Sequence, residues 1–481
     1  MAKRLQTLLM TPPYHCGVVE SAGRWLPLGL ASMAGALQRA GFSVEIYDAM
    51  SKFHGIRAIK TFLSSRMPDV LCLTACTSTV NSCLKMARLM KSISPGCITI
   101  IGGVHPTFMA DELLSQNEAA IDYVVRGEGE LTLPKLLNVI QSGGSPGNIK
   151  GISFILDGAV VHTPKTAYIE DLDSIQPAWD LLDWKDYRYF VIPNSRLGII
   201  STSRGCDNEC TFCSQQKFWE RTWRARSPEA VMREIELLHV KYGVNVILIA
   251  DEYPTRDVDR WREILDRLIA ASLPVRILME TCVSDIIRDE SILPLYKKSG
   301  IIHIYIGVEA TEQKTLDTIK KNITINQSRE AIRLINQQDM ITETSFILGF
   351  PNETKTSIRE TLKLAKYYNP DFAHFLTITP WPYADSYKEL LPFIKEFDYA
   401  KYNLVEPIIE PVSMSLQEID NAMFDCYKKF YMSKLPQYDK IKDPFKRGYL
   451  LRSMKVMMQS SFLRRKMSAL GKMPEEVEKY I

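Results

Sequence analysis

The sequence predicts an α/β chain: a doubly wound parallel sheet first, then a partial six-stranded (β/α) barrel, then a helical tail. Three observations carry this reading. Short apolar runs alternate with amphipathic helical stretches from residue 6 to about 148, and the same alternation resumes at residue 196. Alternation at that pitch builds parallel strands joined by crossover helices. Cys206, Cys210 and Cys213 follow directly on the first strand of the second series, at the end where barrels carry their chemistry. From about residue 400 the strand signal stops and helical spacing takes over. The expected divisions are 1–148, a linker at 149–192, a core at 193–400 and a helical domain at 401–481.

Composition bounds the function classes. A chain of 481 residues suits two or three domains, and 46% hydrophobic with 24% charged residues is an ordinary globular balance. A net charge of +3 argues for neither a nucleic-acid partner nor an acidic substrate. The stretch from Met1 to Met10 runs into Pro12-Pro13, is too short for a signal peptide, and reads as a first strand. Ten cysteines without a secretion signal therefore imply the reducing cytoplasm. No apolar run is long enough to span a bilayer.

In the first domain, strands are expected at 8–10, 43–47, 70–74, 99–101 and 123–125, with helices at 28–40 and 82–92. Doubly wound sheets bind ligands at the carboxyl ends of their strands. The loops there are Pro12-Pro-Tyr-His15, Thr74-Ala-Cys-Thr-Ser-Thr79, Gly102-Gly-Val-His105 and Arg126-Gly-Glu-Gly-Glu130. No Gly-x-Gly-x-x-Gly follows a strand, which disfavours a dinucleotide. The linker carries Glu170-Asp-Leu-Asp173 and Pro177-Ala-Trp-Asp180, which read as docking turns.

In the core, strands are expected at 196–202, 246–250, 276–280, 303–308, 342–348 and 374–379, and helices at 228–242, 256–271, 291–298, 324–337 and 355–368. Polar residues cluster at the strand ends: Asp251 and Glu252, then Glu280, Glu309, and Gly349 with Glu353. Each acid could instead cap a helix or be solvated in a loop.

The Cys-x3-Cys-x2-Cys triplet in Ser201-Thr-Ser-Arg-Gly-Cys-Asp-Asn-Glu-Cys-Thr-Phe-Cys213 is the most specific feature. Three thiolates at this spacing suit three irons of a [4Fe–4S] cluster and leave the fourth iron open to a small molecule. A zinc knuckle completed by Cys282 or His239 is the alternative, and a disulfide framework a weaker one. No second Cys-x2-Cys or His pair stands at finger spacing.

The triplet, with Phe212 before its last Cys, resembles the signature of the radical S-adenosylmethionine (SAM) enzymes. That resemblance implies a cluster on Cys206, Cys210 and Cys213 that cleaves SAM to a 5′-deoxyadenosyl radical. It also implies an external electron donor such as ferredoxin or flavodoxin, and SAM contacts from Asp251, Glu252, Glu280, Glu309 and Gly349. The loops of the first domain resemble the cobalamin-binding domain of one branch of the superfamily. This implies that Thr74, Thr77, Ser78, Gly102, Gly103, His105, Gly127, Glu128 and Gly129 surround the corrin and its nucleotide tail. The chain departs from cobalamin proteins that carry Asp-x-His-x-x-Gly, because Asp48 and His54 stand at the wrong spacing. Any cobalamin is thus expected without the usual His ligand, with His15 and His105 as remaining candidates for the lower face.

A longer set of motifs narrows the resemblance: Cys213-Ser-Gln-Gln-Lys-Phe-Trp219, Arg224-Ala-Arg-Ser-Pro228, Ala250-Asp-Glu-Tyr-Pro-Thr255, Thr379-Pro-Trp-Pro-Tyr383, Lys401-Tyr-Asn-Leu-Val-Glu-Pro407 and Glu20-Ser-Ala-Gly-Arg-Trp25. Together they resemble the anaerobic magnesium-protoporphyrin IX monomethyl ester cyclases over most of the chain, with a shorter tail. The resemblance implies a porphyrin substrate and closure of the fifth, isocyclic ring of (bacterio)chlorophyll with oxygen from water, giving protochlorophyllide. The family has homologues outside phototrophs, so a cobalamin-dependent radical methyltransferase is the competing enzyme reading, and a zinc or corrinoid-binding module the non-catalytic one. Phe212, Phe218, Trp219, Trp223, Trp381 and Tyr383 could stack on a flat macrocycle or pack domains together. In the tail, Leu451, Met454, Met458 and Phe462 recur at helical spacing opposite Lys446, Arg452, Lys455 and the basic run 464–466. Such a helix could touch a membrane surface; covering the barrel with its apolar face, charges solvated, is the favoured reading.

Overall fold

Apolar runs bounded by turn residues form the strands of two separate sheets. The computed structural model describes residues 5–17, 21–460 and 462–463. The chain divides into two units: Met1–His15 with Leu26–Asp186 and Asp398–Tyr402, and Cys16–Trp25 with Tyr187–Phe397 and Asn403–Ile481.

In the first unit, strands β1 (Gln6–Thr11), β2 (Ser43–Asp48), β3 (Val70–Thr74), β4 (Ile98–Gly102), β5 (Tyr123–Val125), β6 (Ile152–Leu156) and β7 (Ala159–His162) form a seven-stranded sheet in the order β2-β1-β3-β4-β5-β6-β7. The first five strands run parallel. Both faces are covered by apolar cores, which is why these strands read as unbroken apolar runs. Along β3, Leu71 and Leu73 enter one core, while Val70 and Cys72 enter the other. Helices α1 (Leu28–Arg39), α2 (Ile56–Arg66), α3 (Val80–Ile93) and α4 (Gly129–Ser142) supply the covering layers.

The segment read as a linker begins with an ordered hairpin. Strands β6 and β7 pair antiparallel and extend the sheet. Their turn is Asp157-Gly158 with φ values of 52° and 77°. Two successive positive φ angles match the twist of a tight hairpin, and Asp-Gly is a favoured dipeptide for it.

In the second unit, β8 (Leu197–Ile200), β9 (Val246–Ile249), β10 (Arg276–Thr281), β11 (Ile301–Glu309), β12 (Ile341–Leu348) and β13 (Phe372–Thr377) pair in sequence order, all parallel. Among the described residues β8 and β13 do not pair with each other, so the barrel is partial, as expected. Its helices begin at explicit stop signals. Ser227 caps α5 (Pro228–Tyr242) by accepting the Ala230 N–H at 3.1 Å, and Gly243, at φ 68°, ends it. Asp257 caps α6 (Val258–Ala271) through the Arg260 N–H at 3.0 Å. Thr324 with Gln327 and Thr354 with Ser357 form capping boxes on α7 (Ile325–Gln337) and α8 (Lys355–Tyr368). Each cap contributes about 1 kcal/mol.

The tail forms α9 (Leu416–Tyr438) and α10 (Pro444–Ser460). Met454, Met458 and Phe462 are buried, as an apolar face lying on the barrel requires. Lys455 is exposed, but Lys446 departs from the expectation of a solvated charge. It is buried, with its Nζ 2.9 Å from an Asp371 oxygen and donating to the Met340 carbonyl at 2.8 Å. Both partners of that pair are enclosed, so losing either would strand a buried charge. The basic run 464–466 lies outside the described residues. No helix among the described residues is long and apolar enough to cross a membrane.

Candidate functional site

The loop after β8 is shaped before its cysteines are reached. Asp251, fully buried just past β9, accepts the Thr202 N–H at 2.7 Å, the Thr202 hydroxyl at 2.5 Å and the Ser203 hydroxyl at 2.7 Å. Glu252 accepts the Trp219 indole N–H at 2.9 Å and the Gly205 N–H at 3.3 Å. Ser203–Gly205 then pairs antiparallel with Trp223–Ala225. Gly205 has φ 100°, and a Cβ there would strike the Thr222 carbonyl oxygen. Only glycine fits that turn. Burial pushes the Asp251 pKa up to about 6, with its three donors opposing the shift. The two acids expected to hold SAM therefore brace the loop.

Cys206, Cys210 and Cys213 are each partly accessible in that loop. The Asn208 amide donates to Cys206 Sγ at 3.3 Å and to Cys282 Sγ at 3.5 Å, and the Gln215 N–H donates to Cys213 Sγ at 3.4 Å. Burial pushes the Cys213 thiol up to about 12 and raises Cys206 and Cys210 as well. The Lys321 ammonium works against that rise at Cys210. Coordination to iron would favour the thiolates, and N–H groups aimed at sulfur are what cluster thiolates accept. The donor set fits an iron–sulfur cluster. A single zinc ion fits poorly: among the described residues no three His, Cys, Asp or Glu side chains gather around one point. His239 is held by its Nδ1 contact to the Val244 carbonyl at 2.8 Å.

Inside the barrel lies a cavity of about 520 Å³ bordered by Glu280, Tyr305, Glu343, His374, Phe372 and Trp25, among others. Glu280 is open to water within the cavity yet surrounded by protein. That desolvation, then the nearby carboxylates Glu252 and Asp251, push its pKa up to about 8. Glu309 follows a register shift at the end of β11 and has φ 64°, an unusual conformation for a residue with a side chain. It is buried, 3.1 Å from Lys321 Nζ, and accepts the Ser345 hydroxyl at 2.9 Å. Gly349, at φ 85°, donates its N–H to Glu353 at 3.1 Å, and Glu353 also accepts the Ser357 hydroxyl. Glu353 thus braces its loop, while Thr354 caps the helix that follows.

In the first unit the carboxyl-end loops come together. Thr77 is buried, and its hydroxyl meets His105 Nδ1 at 3.1 Å. The His105 ring is wholly buried, edge-on to Tyr399 with centroids 4.8 Å apart, and burial pushes its pKa down to about 4. His15 stacks on Phe53 at 4.2 Å. Ser78 contacts Cys76 Sγ at 3.3 Å, and Thr74 closes β3 opposite Gly102. Gly103 has φ 107°, and a Cβ there would strike the Ala75 carbonyl oxygen. Gly127, at φ 74°, has open space where a Cβ would stand, and donates its N–H to the Thr107 hydroxyl at 3.0 Å. Glu128 is buried and accepts the Ile169 N–H at 2.7 Å, while a Cβ on Gly129 would crowd Met33. The open ground above Gly127 leaves room for a close-lying flat group.

Comparison with known proteins decides the family. Residues 14–137 match the B12 binding domain, and residues 200–365 match the Radical SAM superfamily. The chain is 37% identical over 467 residues to the anaerobic magnesium-protoporphyrin IX monomethyl ester cyclase of Rubrivivax gelatinosus, covering 96% of this chain and 84% of that one. The chain belongs to that family of cobalamin-binding radical SAM enzymes. Its cofactors are a [4Fe–4S] cluster, SAM and cobalamin. It is also 30% identical over 438 residues to an uncharacterized methyltransferase of Pyrococcus horikoshii, covering 89% of this chain and 93% of that one. Among solved structures, the cobalamin-dependent SAM radical enzyme OxsB shares the fold, with a TM-score of 0.72 at 17% identity over 99% of this chain and 74% of that one.

Several groups of this radical SAM enzyme are absent from the expectations. Lys321, between α7 and the strand before it, reaches Glu309 and the neighbourhood of Cys210 and Cys282. His303, Glu343 and His374 are each the third residue of their strands. An ionisable residue inside a buried strand is a signal, but only strand register shows that the three meet. The aromatic residues at the mouth mostly pack the loops. Phe212 joins an apolar cluster with Ile378, Leu390 and Ile394. Phe218 stands edge-on to Trp219 at 4.7 Å, and the Trp223 indole donates to the Tyr253 carbonyl at 2.8 Å.

Proposed function

We propose that this enzyme closes the isocyclic ring of magnesium-protoporphyrin IX monomethyl ester, with the keto oxygen taken from water, to give protochlorophyllide. The observation that carries this reading is the likeness to the Rubrivivax gelatinosus cyclase over 96% of the chain. Cys206, Cys210 and Cys213 would hold the cluster, with Asn208 and the Gln215 N–H bonding their sulfurs. Glu280, on the cavity side of β10, would accept the ribose hydroxyls of SAM. Asp251 and Glu252 would act on SAM only through the loop they hold. The loops bearing Thr77, Gly103 and Gly127 would face cobalamin, with His105 enclosed beneath them rather than placed on cobalt.

When bound, the cofactors supply radical abstraction of hydrogen from unactivated carbon, which no side chain can perform. The chain's part is to hold the propionate side chain in reach, shield it, and admit water at the oxidised carbon. A reductant of the ferredoxin or flavodoxin class would serve the cluster in the reducing cytoplasm.

The test supplies the anaerobic enzyme with the porphyrin ester, SAM, cobalamin and a strong reductant in labelled water. Protochlorophyllide carrying the label, together with 5′-deoxyadenosine, is the expected result. A methylated product would instead establish the methyltransferase reading, which the Pyrococcus horikoshii relative favours. SAM cleavage with the porphyrin untouched would refute the assigned substrate.

A further inference from the structure

The wall of the barrel cavity carries a chain of buried polar groups that the reaction as outlined does not use. Glu343 sits between two imidazoles. One carboxylate oxygen meets His374 Nε2, and the other lies 2.8 Å from His303 Nε2, near enough for an ion pair though out of line for a hydrogen bond. His303 Nδ1 meets the Tyr449 hydroxyl at 2.7 Å, and Tyr449 meets the Tyr189 hydroxyl at 2.5 Å. Burial opposes the charge on Glu343, but the two imidazoles outweigh it and hold the carboxyl well below its ordinary range.

Two ring nitrogens of this network lack a hydrogen bond to a described residue, His303 Nε2, which keeps its ion-pair contact to Glu343, and His374 Nδ1. The His374 ring is 30% exposed and borders the cavity. A carboxylate accepting one ring N–H fixes the tautomer and leaves the lone pair on the other nitrogen. This is the arrangement that supports histidines bound to metals.

The surroundings narrow which metal. Both oxygens of Glu343 are engaged, and no three potential ligands gather at one point among the described residues. Among the described residues the site therefore offers a bare cation too few side-chain ligands. A bare cation asks for four to six ligands. A metal satisfied by a single protein ligand already has its other positions filled, as the central ion of a tetrapyrrole does. Trp25, Phe372 and Leu376 give the cavity apolar walls for a flat macrocycle, and about 520 Å³ lies in the range of small-molecule sites.

We propose that His374 is the axial ligand, through Nδ1, to the central magnesium of a metallotetrapyrrole seated in the barrel cavity, with Glu343 as its positioning residue. The assignment rests on the cyclase reading for the identity of the macrocycle. Magnesium ordinarily prefers oxygen; the imidazole competes because Glu343 holds its ring in place and fixes the tautomer that leaves Nδ1 open toward the cavity. Ligation also orients the macrocycle, since the ring plane must lie across the Nδ1 lone pair.

The test is an anaerobic absorbance titration of the holoenzyme, without turnover, using magnesium-protoporphyrin IX monomethyl ester and its metal-free counterpart. The wild type should bind the magnesium form more tightly and shift its Soret band as nitrogen ligation does. His374→Ala should bind both forms alike without the shift, and added imidazole should restore it. Glu343→Gln should weaken binding of the magnesium form by roughly 10- to 100-fold while leaving the metal-free form unchanged. Metal-free binding together with iron and cobalamin content shows that each variant is folded. A Soret position and metal preference unaltered in His374→Ala would overturn the assignment and leave the cyclase reading standing. Failure of the wild type to bind either porphyrin would overturn both.

Discussion

The cluster loop and the barrel wall both gather acids, and they use them in opposite ways. At the loop, Asp251 and Glu252 point their oxygens at backbone N–H groups, hydroxyls and an indole of the same loop. On the wall, Glu343 faces two imidazoles, and the network it organises ends on one unclaimed nitrogen in a cavity. An acid at a strand's carboxyl end is therefore a weak sign of ligand contact. The better sign is a network whose last member has no partner. Glu280 stands between the two cases: it opens into the cavity, and among the described residues no hydrogen bond holds it.

The comparison can be broken most severely at the cysteines. Replacing any one of Cys206, Cys210 or Cys213 with Ala should abolish iron retention and 5′-deoxyadenosine formation, read by iron and sulfide analysis and product chromatography. Retention of a full cluster in any of the three would remove the loop from the site.

Next in size, Asp251→Ala should destabilise the second unit by about 3 kcal/mol in chemical denaturation, because buried donors on Thr202 and Ser203 lose their acceptor. His374→Ala, which takes one donor from the Glu343 carboxylate but leaves His303 beside it, should cost less, about 1 to 2 kcal/mol. Equal losses would mean the two networks are of one kind. The Asp251 carboxyl also adds a pH term. Its folded pKa is raised to about 6, above the roughly 3.9 of an unfolded Asp. The stability it contributes is complete below the lower value and is lost as pH rises through the upper one. Asp251→Asn should remove that component of the slope between about pH 4 and 6.

Glu280 sharpens the middle case. With a pKa near 8 it is largely protonated at neutral pH and becomes a better acceptor for ribose hydroxyls as it ionises. SAM affinity, measured by equilibrium binding, should climb from pH 7 to 9 in the wild type and stay level in Glu280→Gln. The smallest effect is expected at Glu353. Glu353→Gln keeps an oxygen for the Gly349 N–H, so stability should change by under about 1 kcal/mol and SAM binding should not move.

These contrasts also mark what a sequence can disclose. Buried parallel strands read as apolar runs, so both sheets and the order of the barrel strands were legible. The cysteine triplet was legible because its ligands are neighbours in the chain. His303, Glu343 and His374 come from three strands, and only register brings them together. Lys446 looked like a solvated charge because its partner Asp371 is far away in sequence. The hairpin of β6 and β7 was readable in principle. Asp157-Gly158 between two short β-branched runs is a turn signal, obscured by the expectation of a linker.

That hairpin bears on how the chain avoids its own kind. A parallel sheet ending at β5 would offer a row of unpaired backbone groups to any passing strand. The chain instead folds back on itself there and makes its outermost strand only four residues long, Ala159–His162. His162 at its end is tied to Ser153 at 2.7 Å and to Asp111 at 2.9 Å, which places polar groups along the rim. So short an edge, ended by a tethered histidine, is a poor template for a strand from a second copy, and the first unit is thereby guarded against self-association and aggregation on that side.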